Sequence, residues 1–158
     1  MPKPNPPNEP LRISDLSGRI HEFEPTEVRF RPGAYGLLIH DGTILLSLSK
    51  FSEKWDLPGG GIEPWESLEG GLVREFFEET GLRIQVKTMI GMRESFITFF
   101  RHPFHSLRFY YQVTWSDQRD ALVPEPQELL DLKWWDLTDI PVARMNQDDL
   151  TIIRQVFG

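Results

Sequence analysis

Two periodicities divide the apolar residues of this chain. Residues 34–39 and 43–48 are almost continuous apolar runs on either side of His40-Asp41-Gly42. An Asp-Gly pair between such runs predicts a tight hairpin of two antiparallel core strands. Residues 66–79 change to a helical period, with Leu72, Val73, Phe76 and Phe77 on one arc, Ser67 placed to cap and Gly81 in the usual C-terminal position. Between hairpin and helix, residues 50–54 are polar. Trp55-Asp56-Leu57-Pro58-Gly59-Gly60-Gly61 ends in a glycine cluster that predicts a loop able to bring backbone close to a partner.

Downstream, residues 83–92, 95–100 and 107–115 are rich in β-branched and aromatic side chains and are expected to be strands, as are 132–135. Asp148 or Asp149 can cap a last helix that runs through Leu150, Ile153 and Val156 to Phe157. Strands in runs, with helices between and after them, predict an α+β layered fold and not a regular β-α-β repeat. Residues 1–10 hold five prolines and read as an extended lead-in, followed by a weak hairpin over 13–23 around Ser17-Gly18. The expected organisation is a lead-in over 1–27 and a body over 28–158.

Composition narrows the chemistry. The chain has 158 residues, 39% hydrophobic and 26% charged, the size and balance of one globular domain. It contains no cysteine, which removes disulfides, thiolate nucleophiles and zinc-thiolate sites. A net charge of −7 argues against a nucleic-acid backbone as the main ligand. An acidic protein that handles phosphate is expected to place a metal between the two. The N-terminus lacks the apolar core of a secretion signal, and no stretch approaches the roughly 20 apolar residues that cross a bilayer. The expected location is the cytoplasm, with no membrane partner.

Chemistry concentrates in residues 60–82. Glu75, Glu78 and Glu79 stand at i, i+3 and i+4, so a helix presents their carboxylates together. Neighbouring carboxylates repel unless cations lie between them, and oxygen ligands of this kind suit Mg²⁺ or Mn²⁺, which in turn bind phosphate oxygens. Such a cluster can hold a diphosphate, polarise phosphorus and acidify a bound water. The bland alternative is a solvated helix face laced with ion pairs.

The wider spacing decides between them. Gly60, Glu66 after five intervening residues, and Arg74-Glu75-Phe76-Phe77-Glu78-Glu79-Thr80-Gly81-Leu82 after seven more fill every fixed position of the Nudix box, and the 55–61 approach also resembles that family. The resemblance implies an α/β/α sandwich with a mixed sheet between helices, and metal-dependent attack of water on the diphosphate of a nucleoside diphosphate linked to another group. It further implies that the Gly59 carbonyl, Glu75, Glu78 and Glu79 are metal ligands, that Arg74 orients a glutamate, and that Glu66 supports the helix start. Gly60, Gly61 and Trp65 are then expected at the substrate. Homodimers are common among such proteins.

Two departures stand out: Trp65, where the family often has glycine, and Gly70-Gly71 inside the helix, each glycine costing about 1 kcal/mol against alanine. Trp65 can stack on a base or simply pack. A later loop often supplies a further acid, for which Glu125, Glu128 and Asp131 are candidates with Glu128 first; the general base is either this acid or a box glutamate. Phe96, Phe99, Phe100 and Phe104 with Arg93, Arg101, His102 and His105 are candidates for a base and phosphate pocket, although alternate strand residues cannot all face one way. The rival functions are a ligand-sensing module without turnover and an isomerase on the same fold. Substrate identity is not legible: Thr98, Phe99 and Phe100 stand where some subgroups carry diagnostic proline or tyrosine.

Overall fold

The computed structural model describes residues 1–116 and 120–158. Along the chain these residues form β1 (Leu11–Ser14), β2 (Ile20–Phe23), β3 (Arg29–His40), β4 (Thr43–Ser49), β5 (Trp55–Asp56), β6 (Gly59–Gly61), α1 (Leu68–Thr80), β7 (Ile84–Phe99), β8 (His102–Trp115), β9 (Leu129–Asp136) and α2 (Gln147–Phe157). The chain divides into two units, one of residues 1–31 with 94–107 and one of residues 32–93 with 108–158.

The larger unit grows from the predicted hairpin. Ile39 pairs with Ile44 and His40 with Thr43, and the turn places Asp41 and Gly42 at φ 46° and 76°. Alternation then sorts the side chains. Ala34, Leu38 and Leu45 pack with Leu72 and Phe76 of α1, whereas Leu37, Ile44 and Leu46 pack with Leu150, Ile152 and Ile153 of α2. A sheet apolar on both faces needs a cover on each, and each fully buried side chain contributes about 1.5–3 kcal/mol. The result is the expected sandwich, a mixed sheet between helices with strand order β5-β4-β3-β8-β7, β6 added to β3 and β9 to β4. Among the described residues no helix is long and apolar enough to cross a membrane.

In the smaller unit, β1 and β2 form the short hairpin, closed by an Asx turn in which Asp15 accepts from Ser17 and Arg19. His21 Nε2 pairs with Asp15 at 2.8 Å, and the Thr98 hydroxyl donates to the Ile13 carbonyl. The guanidinium of Arg31 lies over the rings of both Phe99 and Phe104, and Phe96 stacks on His105 with 4.5 Å between centroids.

Several sequence expectations need correction. The glycine cluster is not only loop, because Gly59–Gly61 pairs with β3 and Trp55–Asp56 with β4; three residues without side chains suit a strand whose neighbours press close. Segments 83–92 and 95–100 are one strand, β7, and the segment at 107–115 starts earlier, at His102. The apolar arc of α1 is narrower than its sequence suggests. Leu72 and Phe76 are fully buried, whereas Val73 and Phe77, one residue and about 100° further round, are 39% and 49% exposed. The cap of α2 is Asn146, which accepts from the amides of Asp148 and Asp149, and not either aspartate. Gly71 proves to be a close approach, since a Cβ there would meet Ile62 Cδ1 at 2.5 Å.

Candidate active site

The acidic helix is fixed at both ends before its carboxylates are placed. Ser67 Oγ accepts from the Gly70 amide at 3.0 Å, and Gly81, at φ 76°, closes the last turn through its N–H to the Phe77 carbonyl at 2.8 Å. This left-handed closure is the glycine cap that L side chains resist. With Leu72 and Phe76 holding the opposite side in the core, Glu75, Glu78 and Glu79 have little freedom in where they emerge.

Arg74 organises the entrance. Its Nε and Nη2 donate to the two oxygens of Glu66 at 2.6 and 2.7 Å, a fork that fixes the Glu66 carboxylate and lowers its pKa to about 2. Nη1 donates to Glu75 at 2.7 Å and to Glu78 at 3.0 Å, and Nη2 reaches the Gly61 carbonyl at 3.3 Å. One guanidinium thus ties the box glutamates to the glycine strand. Among the described residues no three acidic or histidine side chains are already drawn into a closed metal cage.

Glu79 is half-buried and the most enclosed of the three. Its Oε2 accepts from the Gly59 amide at 2.7 Å. Burial pushes its pKa up to about 7; the Gly59 N–H and the Ser47 hydroxyl oppose this, while Glu128 and Glu75 reinforce it. Glu75 is also raised, first by burial and against the pull of Arg74. The glycine strand meets the helix directly, because a Cβ on Gly60 would come within 2.5 Å of Glu75 Oε2. Gly59 is constrained further: at φ 145° a side chain there would collide with the Ala34 carbonyl.

The loop before β9 completes the wall. The Glu125 N–H donates to the Glu79 carbonyl at 3.3 Å, the Glu128 N–H to the Glu125 carbonyl at 3.2 Å, and the Lys50 N–H to the Glu128 carbonyl at 2.8 Å. This turn against the end of α1 encloses a cavity of about 240 Å³ lined by Glu75, Glu78, Glu79, Glu125, Gln127 and Glu128.

On the α2 side lies a second buried polar group. Asp149, fully buried, accepts from the Leu57 amide at 2.7 Å on one oxygen, and from the Tyr110 hydroxyl at 2.6 Å and Arg108 at 2.8 Å on the other. Arg108 stacks on Tyr35 at 3.7 Å from the ring centroid. Burial works against its charge, but Asp149 and its neighbours keep its pKa well above the ordinary value. Asp56 is pushed up to about 8, first by burial and then by Asp149.

The structure therefore gathers Glu75, Glu78, Glu79 and Glu128 around one cavity, with Arg74, Gly59, Gly60 and Gly61 beside it. Asp131 does not line it and instead accepts from the Leu132 amide. Trp65 is 82% exposed and has no packing role. Arg93 pairs with Asp148, and His105 pairs with Glu94 at 2.6 Å, so these candidates are engaged elsewhere. Sequence reasoning missed Ser47 and Gln127, ordinary polar residues with no pattern to mark them. It also missed Arg108, whose signal was a lone cation among the aromatic residues of a predicted strand.

Comparison with known proteins bears on the family and the fold. A family profile for the NUDIX domain matches residues 29–156. Mouse diphosphoinositol polyphosphate phosphohydrolase 3-alpha is 39% identical over 54 residues, 34% of this chain, so the match spans only about a third of that relative, 33%. A MutT NUDIX hydrolase from Burkholderia pseudomallei superposes with TM-score 0.70 at 25% identity, over 81% of this chain and 98% of that one. A MutT protein from Methanosarcina mazei does so with TM-score 0.65 at 22% identity, over 82% of this chain and 94% of that one. With the box, the sandwich and a profile covering most of its length in agreement, the chain belongs to the NUDIX family.

Proposed function

We propose that this protein is a divalent-cation-dependent pyrophosphohydrolase that cleaves the diphosphate linkage of a nucleoside diphosphate joined to another group. The observation that carries this reading is the cavity: five carboxylates line it, and Arg74 is bonded to two of them. The all-oxygen donor set fits Mg²⁺ or Mn²⁺, and a half-buried glutamate with like-charged neighbours is one that a cation would relieve. Glu75, Glu78, Glu79 and the Gly59 carbonyl are the residues that would hold it. The bound cation would supply Lewis acidity toward phosphate and water.

The chain's own groups do the rest. Arg74 fixes the direction of Glu75 and Glu78, and Glu66 fixes Arg74. A cavity carboxylate, either from α1 or Glu128 of the loop, accepts the proton of the attacking water, and both remain in reach of the same space. Gly60 lets Glu75 press against the glycine strand, Gly61 lies beside it as the remaining backbone at the substrate, and Trp65 offers an exposed ring to a base. Without cysteine or an activated serine, the direct attack of water needs no covalent intermediate.

The relatives with 39% identity over 54 residues act, by their names, on diphosphoinositol polyphosphates, which suggests these compounds as a second substrate class for the same chemistry. The deciding experiment incubates the protein with Mg²⁺ in H₂¹⁸O against ADP-ribose, a nucleotide sugar, a dinucleoside polyphosphate, nucleoside triphosphates and a diphosphoinositol polyphosphate. Release of a monophosphate carrying the label, abolished by EDTA, is the expected result. Label on a non-phosphate fragment overturns the mechanism. Tight binding with no product favours a ligand-sensing module.

A further inference from the structure

Two carboxylates from opposite layers of the sandwich grip one short stretch of backbone. Glu79 of α1 holds the Gly59 amide and Asp149 of α2 holds the Leu57 amide, each at 2.7 Å. The α2 side adds a second hold, since the Asn146 N–H donates to the Trp55 carbonyl at 3.0 Å. The Gly36 N–H takes the Pro58 carbonyl at 2.8 Å. Trp55, Leu57, Pro58 and Gly59 thus each have a fixed hydrogen bond, and the two that come from α2 and its cap lie upstream of Gly59.

We infer that Asp149 is a positioning residue for the Gly59 backbone, and through it for the cation site, although it touches neither cation nor substrate. The inference rests on the hydrolase reading above for its functional consequence, and on geometry for its structural one. Asp149 is built for the task. It is fully buried, and its outer oxygen is fixed by Tyr110 and Arg108 while the inner one takes Leu57. Arg108 is itself held flat against Tyr35. Such a carboxylate has one position, so the amide it accepts from has one position as well. Leu57 is fully inside the α2 core cluster, at 1% exposure, and so cannot follow a displaced partner without losing packing. The rigidity passes to Gly59 because Pro58, with its φ locked, is the only residue between them.

The test is Asp149→Asn in the full chain, which keeps size but replaces one acceptor oxygen with an amide, and Tyr110→Phe, which leaves the Leu57 bond and loosens its anchor. Amide hydrogen exchange at Leu57 and Gly59 is read by NMR on metal-free protein, Mn²⁺ binding by electron paramagnetic resonance of the free ion, and kcat and KM at saturating Mg²⁺. For Asp149→Asn, exchange at both Leu57 and Gly59 should accelerate about tenfold or more while the β4 amides stay protected. The Mn²⁺ dissociation constant should rise about tenfold, with KM for substrate changing less than about threefold. Tyr110→Phe should shift Gly59 exchange and Mn²⁺ binding the same way by about threefold, and it decides the matter if Asp149→Asn does not fold. Loss of protection confined to Leu57, or unaltered Mn²⁺ affinity in a folded variant, overturns the inference. Wild-type protein that takes up no Mn²⁺ would overturn the hydrolase reading instead, and the exchange at Gly59 would still decide whether Asp149 positions it.

Discussion

Glu79, partly buried, and Asp149, fully buried, each hold an amide of the same stretch two residues apart, yet their surroundings are opposite in kind. Asp149 faces a guanidinium and a phenol, so its charge is matched within the protein. Glu79 has one amide and one hydroxyl, with Glu128 and Glu75 beyond them, so its charge is not matched; loss of solvent first, and those glutamates after it, lift its pKa to about 7. Desolvating an ion costs several kcal/mol unless a partner offsets it. On the proposed hydrolase reading, an unmatched carboxylate beside a matched one is the place where a cation would be received. The lesson is that burial alone does not mark a functional acid; burial without an internal counter-ion does.

The strongest way to break this contrast is to neutralise the unmatched side. Glu79→Gln, and separately Glu78→Gln, should lower kcat by about a hundredfold or more, roughly 3 kcal/mol as for other transition-state electrostatic contacts, while circular dichroism and melting in EDTA match or exceed wild type. Full Mg²⁺-dependent activity in both variants would end the cation assignment. A smaller effect is expected at Arg74. Arg74→Lys keeps a charge but loses the fork to Glu66 and the shared link to Glu75 and Glu78, so kcat should fall roughly tenfold and Arg74→Ala should fall further. Equal activity in Arg74→Lys and wild type would show that charge without geometry suffices.

The contrast also has a pH signature. Glu79 and Asp56 rise from ordinary values of 4.5 and 3.8 to about 7 and about 8, so each is more easily protonated when folded than when unfolded. Their contribution to stability is complete below about pH 4 and is lost as pH rises through 7 to 8. Metal-free protein should therefore lose a few degrees of Tm between pH 5 and 8, beyond what other groups contribute, and saturating Mg²⁺ should flatten that slope by favouring the ionised Glu79. A slope unchanged in Glu79→Gln would remove Glu79 from the explanation. The smallest expected effect is at Trp65, where Trp65→Phe should abolish most of the fluorescence change on binding a non-hydrolysable nucleotide analogue with Mg²⁺ and alter kcat by less than about twofold.

The legible parts of this molecule were those with local spacing. The hairpin at Asp41-Gly42, the helix between Ser67 and Gly81, and the box glutamates announce themselves within a few residues, because turns, caps and the i, i+4 relation are short-range physics. Glu125 and Glu128 were reachable only as two of three acids before Trp134-Trp135, since nothing in a loop's composition tells which acids turn inward; the backbone contacts of Glu125 to Glu79 and of Lys50 to Glu128 decide that. Val73 and Phe77 misled because helical period fixes direction but not how wide an arc the sheet covers. Asp149 was legible only as a helix cap. Its partners Leu57, Arg108 and Tyr110 lie on three other elements, and no local pattern connects them.

The distance of that last connection along the chain bears on how the site comes into being. Leu57 and Asp149 are 92 residues apart, and the ordering entropy of such a closure has to be offset before the contact gains anything. During synthesis the glutamate helix, the glycine strand and most of the sheet leave the ribosome well before α2. A nascent chain can therefore shape its acidic helix early and hold Pro58 and Gly59 through Gly36 and Glu79, whereas the holds from Asn146 and Asp149 on Trp55 and Leu57 wait for α2. A chain without α2 would carry all the box glutamates, with Gly59 still held by Glu79 but without the Asp149 hold on Leu57 just upstream.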